Sequence, residues 1–316
     1  MSDTNPQIVV VGSHAPGLFV RVQRIPTAGE TVLGWDLQEI KDGGKGSNQA
    51  IAAARLGIAA SFVGCIGTDR LGAECEDWLR EEGVDISHLY HSQSKGTGAG
   101  INIVDENGIP AMVTSLGANE ELSCQQVETA LEGLRGAKVM LTQFEILPEV
   151  ALHAARIAHS YNMTTIVNPA PAFAVNLSHL EVADVLIPND VEAKVLLGND
   201  PQAQIDLEIL AQKLLTITKA GTVLITAGPQ GVIGADRSGI WRVLPPKVTV
   251  VDTSGAGDVF CAALAVGLIK GLDARAASSW ACLVATLSVT EVGTIVSFPT
   301  AAEVDEFSLT LANTTR

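Results

Sequence analysis

The stretch VVDTSGAGDVFCAALAVGLIKG, residues 250–271, changes pattern midway, and the reading of the whole chain turns on that change. Thr249 to Val251 reads as extended. Gly255 and Gly257 then permit a tight turn, because a residue without a Cβ reaches backbone conformations closed to others. From Val259 the apolar residues run on as in a helix buried on all sides. A glycine-rich turn that feeds a helix presents unpaired N–H groups and the positive end of the helix dipole, which suits an anion. Asp258 stands at the start of that helix, where it reads either as a cap or as a general base. A carboxylate beside an anion hole is what phosphoryl transfer to an alcohol needs: donors hold the transferring group and the carboxylate takes the hydroxyl proton.

Working outward, short runs rich in Val and Ile and bounded by Gly, Asn or Pro recur at 8–12, 61–67, 139–143, 164–168, 184–189 and 222–228. They read as strands buried on both faces. Helical patterns at 48–57, 71–83 and 148–160 lie between them, and the chain beyond Asp252 reads as mostly helical. Alternating strand and helix predicts a three-layer αβα sandwich around a mostly parallel sheet, here as a single domain over 1–316. Leu18–Lys41 and Thr97–Ser115 break the rhythm with period-2 alternation and turn signals. They predict antiparallel strands inserted as a small β lid. Val20, Val22, Ile101 and Ile103 alternate as a buried face does.

Composition narrows the function. Of 316 residues 47% are hydrophobic, enough for a large core, and the formal charge is −15. That acidity disfavours nucleic acid and anionic membranes as partners, because phosphate neutralisation needs a basic surface. The five cysteines are widely spaced without a CxxC, which argues against a disulfide framework or a zinc site and for a cytoplasmic location. The N-terminal segment does not read as a signal peptide, and the run Val259–Ile269 is too short to span a bilayer.

KDGGKGSNQAIAAARLG, residues 41–57, is a second glycine-rich turn entering a helix. It is not a Walker A loop, since Gly46 rather than Ser or Thr follows Lys45, and GAGDVF lacks the third glycine of a dinucleotide fingerprint. Lys45, Asn48 and Gln49 offer polar groups for substrate hydroxyls.

Together, DGGKGSNQAIAAARLG and VVDTSGAGDVF resemble the two signatures of the ribokinase-like (PfkB-type) carbohydrate kinases. Further matches at 26–31, 67–72, 96–100, 116–119, 143–145, 168–172, 188–193, 224–231 and 292–299 extend the resemblance over nearly the whole chain, closest to the branch that gives the family its name. The resemblance implies ATP-dependent phosphorylation of a primary hydroxyl on a small sugar, with Mg²⁺ and K⁺ as cofactors and a homodimer formed through the lid. Asp258 matches the catalytic base, and Gly255, Ala256 and Gly257 match the anion hole. Gly44, Lys45, Gly46, Ser47 and Asn48 match the sugar-holding loop, with Glu145 a further sugar contact. Asn189 and Glu192 match a pair that organises magnesium, through water, and the phosphates; read without the family they form a helix cap. Thr226, Ala227, Gly228, Pro229, Gln230 and Gly231 match a nucleotide-binding turn, and Cys282 an adenine-side position. Asp252, Ser254, Ser288, Glu291, Gly293 and Ser297 match a monovalent-cation site built largely from backbone carbonyls.

One departure concerns the substrate. After the first strand the sugar kinases of this family carry Gly-Ser-x-Asn-x-Asp, whose Asn and Asp grip sugar hydroxyls. Here Ala15 and Gly17 take those positions, which puts ribose itself in question, and His14 lies beside them. A nucleoside kinase of the same fold is one rival reading and needs stacking groups, for which Phe19 and Trp35 are available. A non-catalytic sugar-binding protein is the other, and an intact Asp258 argues against it.

Overall fold

The computed structural model describes residues 6–108, 110–173 and 175–314. The first half of the chain forms β1 (Ile8–Val11), β2 (Gly17–Val22), β3 (Gly34–Ile40), α1 (Gly44–Arg55), β4 (Ala60–Ile66), α2 (Arg70–Glu81), β5 (Leu89–His91), β6 (Ala99–Val104) and β7 (Pro110–Ser115). Next come α3 (Cys124–Gly133), β8 (Val139–Gln143), α4 (Pro148–Ser160), β9 (Thr164–Asn168), β10 (Val185–Leu186), α5 (Asp190–Leu196) and α6 (Leu207–Thr218). The rest comprises β11 (Thr222–Thr226), β12 (Val232–Asp236), β13 (Gly239–Val243), α7 (Ala256–Ile269), α8 (Ala274–Ser288) and α9 (Ala301–Thr314).

A nine-stranded sheet runs in the order β13-β12-β11-β10-β9-β8-β1-β4-β5. It is parallel from β5 to β11 and ends in an antiparallel hairpin, β12–β13. Side-chain alternation along β1 divides the core in two. Ile8 and Val10 pack with α1, α7 and α8 on one face, and Val9 and Val11 with α3, α4 and α6 on the other. Helix α7, AGDVFCAALAVGLI, is buried from Asp258 to Gly267, and its small residues let α1 and α8 approach closely. β1 is flanked by β4 on one side and β8 on the other, so the strand order reverses there. In open parallel sheets such a reversal opens a ligand crevice at the carboxyl ends of the strands.

Strands 139–143 and 164–168 and helix 148–160 agree residue for residue with the sequence reading. The strand expected over 184–189 shortens to Val185–Leu186, just before Pro188, which has no N–H to donate. Thr249–Val251 belongs to no strand: it lies along the end of α8, with Val251 N donating to Val289 O at 2.8 Å.

The lid is a four-stranded sheet, β3-β2-β6-β7. Its two inserts are the expected antiparallel hairpins, β2–β3 and β6–β7, but they join through a parallel β2–β6 pairing. Val22 is buried, whereas Ile101 is 41% exposed, so the anticipated buried face is only half sealed in the single chain.

Candidate active site

The crevice gathers the ends of several strands. A cavity of about 120 Å³ is lined by Lys45, Asn168, Ala170, Ile187, Asn189, Glu192, Thr226, Gly255, Gly257, Asp258 and Cys261. Two sequence-distant turns meet here because α1 packs on α7.

Asp258 lies in the first turn of α7 and is buried. Gly255 caps that helix in a left-handed conformation, φ 73°, which leaves no room for a side chain: a Cβ there would lie 2.6 Å from Phe298 Cε1 and 2.7 Å from Thr294 Cγ2. The first bond within the helix runs from Val259 N to Gly255 O, so the Gly257 and Asp258 N–H groups lack intrahelical acceptors at the cavity edge. Asn48 Nδ2 donates to Asp258 Oδ2 at 3.0 Å and Gln49 Nε2 to Oδ1 at 3.1 Å. Gln143 Nε2 in turn donates to Gln49 Oε1 at 2.5 Å. Burial pushes the Asp258 carboxyl up to about 6, against the opposing pull of Lys45 and the Asn48 amide. A buried carboxylate poised near neutrality suits a general base.

Lys45 sits among carboxylates. Burial opposes its charge, but Asp258, Glu145 and Glu192 prevail and raise its pKa. Glu145 is held by two donors on Oε2, Ser13 Oγ at 2.7 Å and Lys45 N at 2.9 Å. Burial likewise raises Glu192. The helix-cap reading of Asn189 and Glu192 is correct as geometry. Asn189 Oδ1 accepts from Glu192 N and Glu192 Oε2 from Asn189 N, both at 2.7 Å, and both residues still line the cavity.

The residues of the expected sugar loop divide. Gly44 and Lys45 open α1 toward the site, while Gly46 packs against the end of β1. The Ser47 hydroxyl is committed to the interior, hydrogen-bonded to His14 Nδ1 at 2.9 Å. His14 is buried with its ring edge toward Trp78, and burial lowers its pKa to about 3, so it is a neutral packing residue rather than a substitute anchor. The Asn48 amide is engaged at both ends: Oδ1 accepts from Gly43 N at 2.9 Å, and Nδ2 also donates to Asp42 Oδ1 at 2.8 Å. Asn48 therefore orients two carboxylates.

Thr226 ends β11 in the cavity wall, and Ala227–Gly231 form the turn that follows, closed by Ala227 N donating to Gly231 O at 2.8 Å. Cys282 is buried on α8, and burial raises its thiol to about 11. The two segments of the expected cation site are tied through Asp252, whose Oδ1 accepts from Ser254 N and Oδ2 from Gly293 N, each at 2.9 Å. Burial opposes the Asp252 charge, but these N–H groups hold its pKa down. Ser288 and Ser297 bond their own helical turns, and Glu291 is exposed.

Asp42, Ser13, Gln143 and Cys261 escaped the sequence reading. A hydrophilic residue beside a glycine pair was the one signal for Asp42. Cys261 lies one helical turn beyond Asp258 and shares its face, a spacing visible in the sequence.

A parallel sheet flanked by helices on both faces, with a β lid and a crevice that joins two glycine-rich helix entries, agrees with the fold that the resemblance to carbohydrate kinases implies. The chain matches the pfkB family carbohydrate kinase profile over residues 5–301 and belongs to that family. It is 37% identical over 304 residues to the ribokinase of Bacillus subtilis, covering 95% of this chain and 98% of that one. It is 29% identical over 301 residues to the deoxyribokinase of Salmonella typhimurium, covering 95% and 98%. The structure of Arabidopsis thaliana ribokinase complexed with ribose and ATP superposes with a TM-score of 0.85 at 27% identity, covering 96% of this chain and 99% of that one. Among the described residues no helix is long and apolar enough to cross a membrane.

Proposed function

We propose that this chain, acting as one kinase domain, transfers the terminal phosphoryl group of ATP to a primary hydroxyl of ribose or a related pentose, ketose or polyol. The observation that carries the reading is Asp258: a buried carboxylate at about 6, beside the free N–H groups of a helix terminus. It would take the hydroxyl proton as the bond to phosphorus forms, while the Gly255–Gly257 turn and Lys45 hold the charge that develops on the phosphoryl oxygens. The kinship with ribokinases and a deoxyribokinase supports a small sugar, and the ATP complex of the Arabidopsis relative supports the donor.

Magnesium, when bound, neutralises phosphate charge. The residues fit an ion that keeps its own waters. Asn189 Oδ1 is occupied by the cap, but Glu192 has its Oε1 left over from it. No group of three or more His, Cys, Asp or Glu among the described residues forms a direct ligand set. Potassium fits the paired segments 252–254 and 288–297, which Asp252 already holds together. The acidic, disulfide-free chain fits the cytoplasm, and the exposed apolar side chains of the lid fit a homodimer.

A coupled ATPase assay over D-ribose, 2-deoxy-D-ribose, D-xylulose and erythritol tests the reading. Sugar-dependent ADP release with formation of a phosphate monoester is the expected result, faster in potassium than in sodium. Absence of sugar-dependent turnover in all four would overturn it, and equal rates in potassium, sodium and a bulky organic cation would remove the cation site alone.

A further inference from the structure

The geometry points to Asp42 as a specificity-determining residue of the sugar pocket, its Oδ2 accepting a hydrogen bond from a substrate hydroxyl remote from the one phosphorylated. The inference rests on the sugar-kinase reading above.

Asp42 lies between the end of β3 and the start of α1 and is partly buried. Its two oxygens have different surroundings. Oδ1 is pinned by Asn48 Nδ2 at 2.8 Å and by Gly44 N at 3.1 Å. Oδ2 has no protein donor among the described residues and is not sealed from solvent. A carboxylate locked by two donors at one oxygen, with the other open, is a preorganised acceptor. A partly buried charge left half-satisfied is improved by any donor that a ligand brings.

Its position ties it to the chemistry. The same Asn48 amide that donates to Asp42 donates to Asp258. One side chain thus fixes the spacing between the base and Asp42. A substrate that presents one hydroxyl to Asp258 is held at a set distance from a second acceptor. Polyhydroxylated chains and rings offer such a second donor; a simple alcohol does not.

Asp42 also explains what Gly17 leaves out. A Cβ at Gly17 would lie 3.6 Å from Asp42 Cβ and 3.8 Å from its Oδ2. A side chain at position 17 would therefore lie in van der Waals contact with the Asp42 carboxylate. Where the family pattern places a carboxylate on the first lid strand, this chain brings one from the other strand of the hairpin: Gly17 pairs with Ile40, two residues before Asp42. Gly17 has no left-handed backbone, so glycine is not required there by conformation. Gly17→Asp alone would instead set two carboxylates against each other.

The experiment is a relocation cycle. Wild type, Asp42→Asn, Gly17→Asp and the double variant Gly17→Asp with Asp42→Asn are compared in kinetics and in calorimetric binding of D-ribose, 2-deoxy-D-ribose, D-xylulose and erythritol without nucleotide. Asp42→Asn keeps an acceptor for Gly44 N and Asn48 and should fold. It is expected to raise the sugar KM about 10- to 100-fold, the worth of a hydrogen bond to a charged group, with the ATP KM unchanged. Gly17→Asp alone should also bind sugar more weakly. The double variant should regain most of the lost affinity, which a purely structural role for Asp42 in holding its loop would not allow. A sugar affinity within twofold of wild type in Asp42→Asn, or a double variant no better than either single one, overturns the assignment while leaving the kinase reading intact. Wild-type protein that neither binds nor turns over any of the four sugars overturns both.

Discussion

Asp258 is pulled in two directions: burial and Glu145 disfavour its charge, while Lys45, Asn48 and Gln49 favour it. Burial wins, and the carboxyl rises to about 6. A protonated base cannot accept the sugar proton, so kcat/KM should fall as pH drops through about 6; a flat profile from pH 8 to 5 would contradict the assignment. Asp258→Asn should lower kcat by about 10²–10⁴-fold, the usual range for a general base, with ATP affinity largely kept. More than half of wild-type turnover in that variant would exclude Asp258 as the base. His14 gives a second pH effect with a clear sign. Burial lowers its folded-state pKa from 6.5 to about 3. Its contribution to stability is therefore fully present above pH 6.5 and is lost as pH falls toward 3, because the unfolded chain takes up a proton that the folded chain refuses. By pH 5 the loss amounts to about 2 kcal/mol. His14→Phe keeps the edge contact with Trp78 and removes the titration. Urea midpoints at pH 7.5 and 5 should then differ less than in wild type, and an unchanged difference would refute this account.

At the scale of elements, the site depends on how closely α1 approaches the end of β1. Gly46 makes that approach possible: a Cβ there would lie 2.5 Å from Ser13 N and 2.6 Å from Ser13 O. Ser47 N donates to Ser13 O at 3.0 Å in the same contact. Gly46→Ala should push the helix start outward and move Lys45 and Asn48 with it. Overpacking of this kind costs about 1–3 kcal/mol. The variant should melt earlier and lose both sugar affinity and kcat; a variant with wild-type melting temperature and kinetics would show that the approach is not critical. These elements were largely legible in the sequence, because buried parallel strands are continuous Val/Ile runs and glycine-rich turns mark helix entries. The β2–β6 pairing was not. It joins residues about eighty positions apart, and local periodicity says nothing about which hairpin lies beside which, or in what direction. Asp42 was hidden for the same reason. Its meaning depends on Gly17, across a lid hairpin, and on an Asn48 amide shared with a carboxylate 210 residues from Asn48. Asn48 itself was legible as a site residue, but its engagement with two carboxylates needed the fold.

For the whole molecule the lid sets the remaining question. Trp35 is 50% exposed, Leu37 72% and Met112 69%, an apolar exposure that an open sheet edge makes a liability unless something covers it. With a formal charge of −15 on each chain, two copies repel at long range, so an association between them must come from short-range apolar burial. The lid supplies that surface, and its first hairpin is rooted in the site: β2 starts at Gly17 and β3 ends two residues before Asp42. Pairing of two lids would thus brace the strands beside the proposed sugar pocket, while the turn at 226–231, proposed to hold the nucleotide, follows β11 of the main sheet. Leu37→Lys with Met112→Lys should convert a dimer to a monomer by light scattering. It should also raise the sugar KM several-fold and leave the ATP KM unchanged. Wild-type protein that is monomeric at assay concentration and fully active would refute the dimer, and a monomeric variant with unaltered sugar KM would refute the coupling between lid pairing and the pocket.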